Sequence, residues 1–282
     1  MLPFRHAHYF VLAFLVITLA AFAPTYFLVL DDAPAAHHLH GITATAWIVL
    51  LICQSASIHH RHWRLHAWLG RASVLLAPLM VAGGLLVTQV TLLRENSPFN
   101  LLFGHDLAVA DWVATLAFAL FYGLALRHRR DPERHARYML ATLTPLVGPS
   151  LARLLANFVP GFAIRAPEEL AKFGMALDAA MGLTTLALLV LLVIDIKRRK
   201  PADPFLLAIG CSVLMYVGYA WFGPTALWDR LADAFAALPV GQVVAMGLGL
   251  GLAAGAIGWW CPHRAHRSED ARTAERLAAA GT

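Results

Sequence analysis

Cysteine is scarce in this 282-residue chain: Cys53, Cys211 and Cys261 stand alone, with no C-x-x-C and no C-x-x-C-H. That excludes a disulfide framework, a zinc ribbon and covalent c-type haem attachment. Charge is scarce as well. Asp, Glu, Lys and Arg make up 14% of the chain, against about 25% in an ordinary soluble domain. No G-x-S-x-G, P-loop or G-x-G-x-x-G lies in a suitable strand–turn–helix context, so hydrolase, NTPase and dinucleotide-binding readings have no anchor. The net charge is +5, but the basic residues fall in short clusters between apolar runs rather than on one face. Nucleic acid is therefore not an expected partner.

What is present is apolar sequence. Hydrophobic residues make up 59% of the chain and the mean hydropathy is +0.63. Runs of about 20 such residues are long enough to cross a bilayer. They fall at 9–30, 41–58, 70–93, 105–126, 138–159, 173–196, 205–223 and 239–260. The expected fold is all-α: a polytopic bundle of about eight transmembrane helices with both termini cytoplasmic. Residues 1–262 form one integral membrane domain whose core spans lie within 38–160, and 263–282 form a charged tail. The first run continues through PTYFLVL, so it is read as a retained helix rather than a cleaved signal peptide.

Charge placement sets the orientation. Seventeen of the 22 Lys and Arg lie at the N-terminus, in the connections after Ile58, Arg127 and Lys197 and their flanks, and in the tail. The opposite connections hold only four, and Arg153 lies inside a span. That split assigns the basic side to the cytoplasm, and a bacterial plasma membrane is the expected location. Trp63, Trp68, Trp228, Trp259 and Trp260 fall near span boundaries, as interfacial aromatic residues do.

Four of the 14 histidines stand at span mouths on two levels. His40 and His105 open spans two and four on the outer side; His66 and His135 stand at the inner side, in LHAWLGR and RHARYM. Neutral imidazoles from facing helices are the usual axial ligands of b-type haem. These four are the candidate haem-iron ligands, two haems stacked to carry electrons across a core about 30 Å thick. An alternative is a non-haem metal site among Asp31, Asp32, His37, His38, His40, His105 and Asp106.

Ionisable residues inside apolar spans cost at least a few kcal/mol unless paired. Asp106, Asp111, Arg153 and Asp178 fall at similar depth on the outer side, so Arg153 is expected to pair with Asp111 or Asp178. They form either a structural lock or a polar cavity for a small molecule or ion. On the inner side, Arg71, Arg137 and Asp195 form a second candidate cluster. Gln54 is read as interhelical glue.

The segments HGITATAWIVLLICQ, LHAWLGRASVLLAPLMVAGGLL, HARYMLATLTPLVGPSLARLL and IDIKRRKPADP resemble a family of bacterial multi-pass membrane proteins without an assigned activity. Its members carry paired L-H-x-x-L-G-R and H-x-R-x-M motifs, and the likeness covers roughly residues 20–215. The resemblance singles out His40, Gly41, Trp47, Gln54, His66, Gly70, Arg71, His135, Arg137, Met139, Arg153 and Asp195; His105 is outside its motifs. Where the family tends to have a histidine, this chain has Asp203. The two-level histidine layout is similar to transmembrane di-haem b-type cytochromes.

The leading expectation is a membrane electron-transfer protein with haem b, exchanging electrons with a quinone or a small redox donor. The alternatives are a binding or transport protein using the outer Asp/Arg cluster, a non-haem metal protein, or a scaffold whose polar residues only lock helices. No catalytic residue is assigned.

Overall fold

The computed structural model describes residues 4–94 and 97–261. Ten α-helices are present among them and no strand. They are α1 (Ala7–Phe22), α2 (Ala35–His59), α3 (Trp63–Leu93), α4 (His105–Arg127), α5 (Pro132–Ala141), α6 (Thr144–Phe158), α7 (Lys172–Lys197), α8 (Asp203–Val217), α9 (Ala226–Ala236) and α10 (Val240–Trp260). Seven helical segments are long and apolar enough to cross a membrane, counting α5 with α6 and the short π-helical turns joined to α4 and α8 as parts of single segments. The chain is a multi-pass integral membrane protein with an all-α fold. The expected tail, 263–282, lies outside the described residues.

The first apolar run is not one helix. α1 stops at Phe22 because Pro24 has no N–H to continue the ladder, and a 3-10 helix follows at Phe27–Asp32. At 16 residues α1 is about 24 Å long, short of the hydrocarbon thickness. It nevertheless runs between the two ends of the bundle. Just ahead of it Phe4 lies beneath the Arg137 guanidinium at 4.8 Å, and its last residue, Phe22, lies beneath that of Arg153 at 4.5 Å.

The fifth expected span is broken. Pro145 has no N–H and its ring would clash with the preceding turn, so the chain steps out of register at Thr142 and Leu143 before α6 begins. Thr142 Oγ1 donates to the Met139 carbonyl at 2.6 Å and accepts from Trp47 Nε1 at 2.9 Å, which satisfies the polar groups at the break. Trp47 is fully buried, edge-on to Phe118 and Tyr122.

α3 and α4 are the most enclosed spans, and α10 the least. α10 lies closely along both. A Cβ at Gly247 would collide with the Ala82 backbone, one at Gly251 with Pro78 at 2.5 Å, and one at Gly258 with the Gly123 carbonyl. The outward faces of α7, α8 and α10 carry exposed Leu186, Val190, Val193, Leu206, Leu214, Leu252 and Ile257, the surface that lipid covers. α9 is a surface helix between the last two spans. Thr225 Oγ1 caps it by accepting from the Trp228 N–H, and Trp228, Ala232 and Phe235 form its buried stripe. Trp228 is thus an anchor in the protein rather than a headgroup-level residue, unlike exposed Trp63, Trp68, Trp259 and Trp260.

Candidate functional site

At the basic end of the bundle, LHAWLGR opens α3 and RHARYM lies in α5. His66 Nδ1 is 3.3 Å from the Gln54 carbonyl of α2, and His135 Nδ1 is 2.8 Å from the Ala125 carbonyl of α4. A carbonyl only accepts, so each Nδ1 carries the hydrogen and each neutral ring keeps its lone pair on Nε2. Ala125 is in the last turn of α4, where carbonyls lack helical partners, and His135 supplies one. The two imidazoles are borne by different helices, α3 and α5, at the same end of the bundle. Gly70 follows His66 by one turn on the same face and leaves bare backbone there. Gln54 is buried beside it, its Nε2 3.6 Å from where a Gly70 Cβ would stand, and its Oε1 has no partner among the described residues.

His135 and Arg137 are two residues apart and so diverge around the helix. Arg137 turns to α7, where Nε and Nη2 each donate to an Asp195 carboxylate oxygen at 2.6 Å. Its Nη1 donates to Glu133 Oε2 at 2.5 Å, and Lys200 Nζ donates to Glu133 Oε1 at 2.7 Å. Asp203 accepts from Tyr138 Oη at 2.8 Å and from Arg134 Nε at 3.2 Å. The pairing of Arg137 with Asp195 is present. Arg71 is not part of it: the side chain is exposed, because just over two turns past the start of α3 it faces outward.

At the opposite end the histidines do not meet. His105 faces α9, with Asp106 at 3.6 Å from Nδ1 and Asp229 at 3.8 Å from Nε2, and its carbonyl accepts from Trp228 Nε1 at 2.9 Å. His40 has its backbone against Gly83 of α3, and its Nδ1 is buried with no partner among the described residues. The expected outer pair of ligands therefore occupies two separate environments, because α9 draws His105 to the bundle's rim. His38 Nδ1 is instead bonded to Tyr26 Oη at 2.9 Å, and Asp31 and Asp32 are exposed on the 3-10 turn. Among the described residues, no group of three or more His, Cys, Asp or Glu could hold a metal ion. The non-haem alternative has no ligand set.

The four residues of the expected outer cluster form no ion pair with one another among the described residues, so the expected pairing of Arg153 with Asp111 or Asp178 is not made. Arg153 Nη1 donates to the Pro149 carbonyl at 3.3 Å. Asp178 is on the other side of α7, exposed in a groove against Tyr216. Asp106 has its backbone pressed against Gly223. The carbonyls of Gln54 and Ala125 that fix the two inner rings carried no sequence signal, since any residue type supplies one. The Glu133–Arg137 spacing of four was readable as a helical ion pair. The chain matches no protein-family model, no curated protein and no solved structure.

Proposed function

We propose that the chain is a haem b-binding membrane electron-transfer protein in which His66 and His135 ligate one iron through Nε2. The observation that carries this reading is the shared tautomer. Both rings have Nδ1–H committed to a backbone carbonyl, the arrangement that orients an imidazole and raises its basicity as a ligand. A structural histidine needs only one good bond; two rings on separate helices at one end of the bundle, both with Nε2 lone pairs to offer, are suited to serve as an axial pair. Gln54 Oε1, beside Gly70, is an orphan acceptor at the same level among the described residues. Haem held by two imidazoles cycles between ferric and ferrous iron by one electron.

Only the inner pair enters this reading, because His40 and His105 face different neighbours. The site stands at the basic end, within reach of a soluble redox donor at that surface and of a quinone in the adjoining bilayer. Arg137 and Asp195 act on the site only by holding α5 to α7, which fixes the helix that bears His135. The test is expression with haem supplementation, followed by a haem count and an absorption spectrum. Wild-type protein should carry one haem per chain; His66→Ala and His135→Ala should each lose it, and His105→Ala should keep it. A colourless wild-type protein, prepared beside a b-type cytochrome that loads normally, overturns the proposal.

A further inference from the structure

Two imidazoles outside the haem reading meet where α1 begins and α2 ends. His8 stands in the first turn of α1, His59 is the last residue of α2, and His60 caps that helix. The His8 ring is centred 6.3 Å from the ring of His59 at an interplanar angle of 37°. His60, whose ring is centred 6.2 Å from that of His8 at the steeper angle of 60°, is exposed.

The tautomer of His59 is fixed. Its Nδ1 is 2.7 Å from the Ser55 carbonyl one turn back; a carbonyl only accepts, so Nδ1 carries the hydrogen and Nε2 keeps its lone pair. That Nε2 is buried with no partner among the described residues, and so is Nδ1 of His8, although each residue keeps some surface. A buried polar atom without a partner costs about 1–3 kcal/mol. Two such nitrogens, on helices that pack along one another, are both relieved by one electron-pair acceptor placed between the rings.

The ring spacing selects that acceptor. With metal–nitrogen bonds of about 2.0–2.1 Å, and each nitrogen about 1.1 Å from its ring centre, two imidazoles on one ion have centres about 6.3 Å apart when the bonds are opposed and about 5.1 Å apart at the tetrahedral angle. The spacing of His8 and His59, 6.3 Å, is the opposed one. Two opposed nitrogen ligands satisfy Cu(I), a closed-shell ion that accepts linear two-coordination and binds imidazole. Zn(II) takes four ligands, and among the described residues no group of three His, Cys, Asp or Glu could hold it.

We propose that His8 Nδ1 and His59 Nε2 bind one Cu(I) ion in a near-linear site that joins α1 to α2. The bond from His59 Nδ1–H to the Ser55 carbonyl holds the second ligand ring in place. Two neutral imidazoles leave the site with a single positive charge. On the cytoplasmic orientation that the basic connections predict, the surrounding thiols keep the compartment reducing, and Cu(I) is the oxidation state present. The site shares no residue with the haem reading.

The experiment is an anaerobic titration of the purified, detergent-solubilised full chain with Cu(I) against the chelator bicinchoninate, followed by copper K-edge absorption, which is blind to haem iron. Wild-type protein should retain one copper per chain and show the intense 1s→4p feature of linear Cu(I), and equal Zn(II) should not displace it. His8→Ala and His59→Ala should each weaken retention about tenfold or more, and His60→Ala should leave it unchanged. No copper held against the chelator overturns the site and leaves the two nitrogens to water. Copper that survives both His8→Ala and His59→Ala, or that is lost with His60→Ala, overturns the pairing. A three- or four-coordinate edge overturns the linear geometry, and the wild-type spectrum decides that point even where a variant fails to fold.

Discussion

Arg137 and Asp195 face one another in a two-bond ion pair, Nε to Oδ2 and Nη2 to Oδ1 both at 2.6 Å, and each side chain exposes only 3% of its surface. The bond joins α5 to α7 across 58 residues of sequence. Charges this enclosed are tolerated only because each satisfies the other, and Glu133 takes the remaining guanidinium edge.

Arg137→Ala or Asp195→Ala should each destabilise the protein by about 3–5 kcal/mol, because one unpaired charge stays buried. Replacing both by Met and Leu should cost much less than the sum. Equilibrium unfolding in mixed micelles of the four-member cycle measures this. Additive losses would mean that the two side chains contribute independently.

Asp131 caps α5, its Oδ1 accepting from the N–H groups of Glu133 and Arg134 at 3.1 and 3.3 Å, and its Oδ2 from Arg134 Nη1 at 2.9 Å. Burial disfavours its ionised form, but these donors outweigh that cost and hold the carboxyl below its usual range. A depressed folded-state pKa means stabilisation that is complete above the unfolded value, about 3.9, and lost as pH falls through the folded value. Asp131→Ala should therefore cost about 1 kcal/mol at neutral pH, and the gap from wild type should shrink in acid. A gap independent of pH would contradict the assigned ionisation.

Thr142→Val should leave the buried Trp47 N–H without an acceptor. The expected loss is about 1–3 kcal/mol, with a change in the Trp47 environment visible by fluorescence in a background lacking the other tryptophans. Unchanged stability would show that the break between α5 and α6 does not depend on this bond.

The glycines of α10 divide by environment. Gly247→Leu and Gly258→Leu should each destabilise by about 1–3 kcal/mol or more, since backbone on α3 or α4 stands where the side chain must go. Gly249→Ala meets nothing within 4 Å and should be neutral or slightly stabilising, because alanine restricts the unfolded chain. Thermal unfolding of the three variants tests the docking of α10. Equal effects would place α10 away from α3 and α4.

Hydropathy made the seven long spans legible, since a length of about 20 apolar residues has no other use. It could not mark the end of α1 inside 9–30, where Pro24 rather than polarity stops the helix, or the step at Thr142 ahead of Pro145. α9 was hidden because an amphipathic helix of 11 residues carries no run of apolar sequence. That helix is also why His105 is at the rim: Asp229 and Trp228 hold it there, and no pattern near His105 announces them. Arg137 with Asp195 was readable from charge in apolar surroundings, whereas the outward turns of Arg71 and Asp178 depend on helix rotation that spacing alone leaves open. The tautomers of His66 and His135 depend on two backbone carbonyls, which no residue type announces.

The most direct test of the axial pair is electron paramagnetic resonance on the ferric protein, wild type beside His135→Ala, each reconstituted with excess haem and freed of the unbound fraction. Two imidazoles on one iron give a low-spin signal, and loss of His135 should convert it to high spin or abolish haem retention. A high-spin wild-type signal, or a low-spin signal untouched by His135→Ala, would contradict the sharing of one iron by His66 and His135.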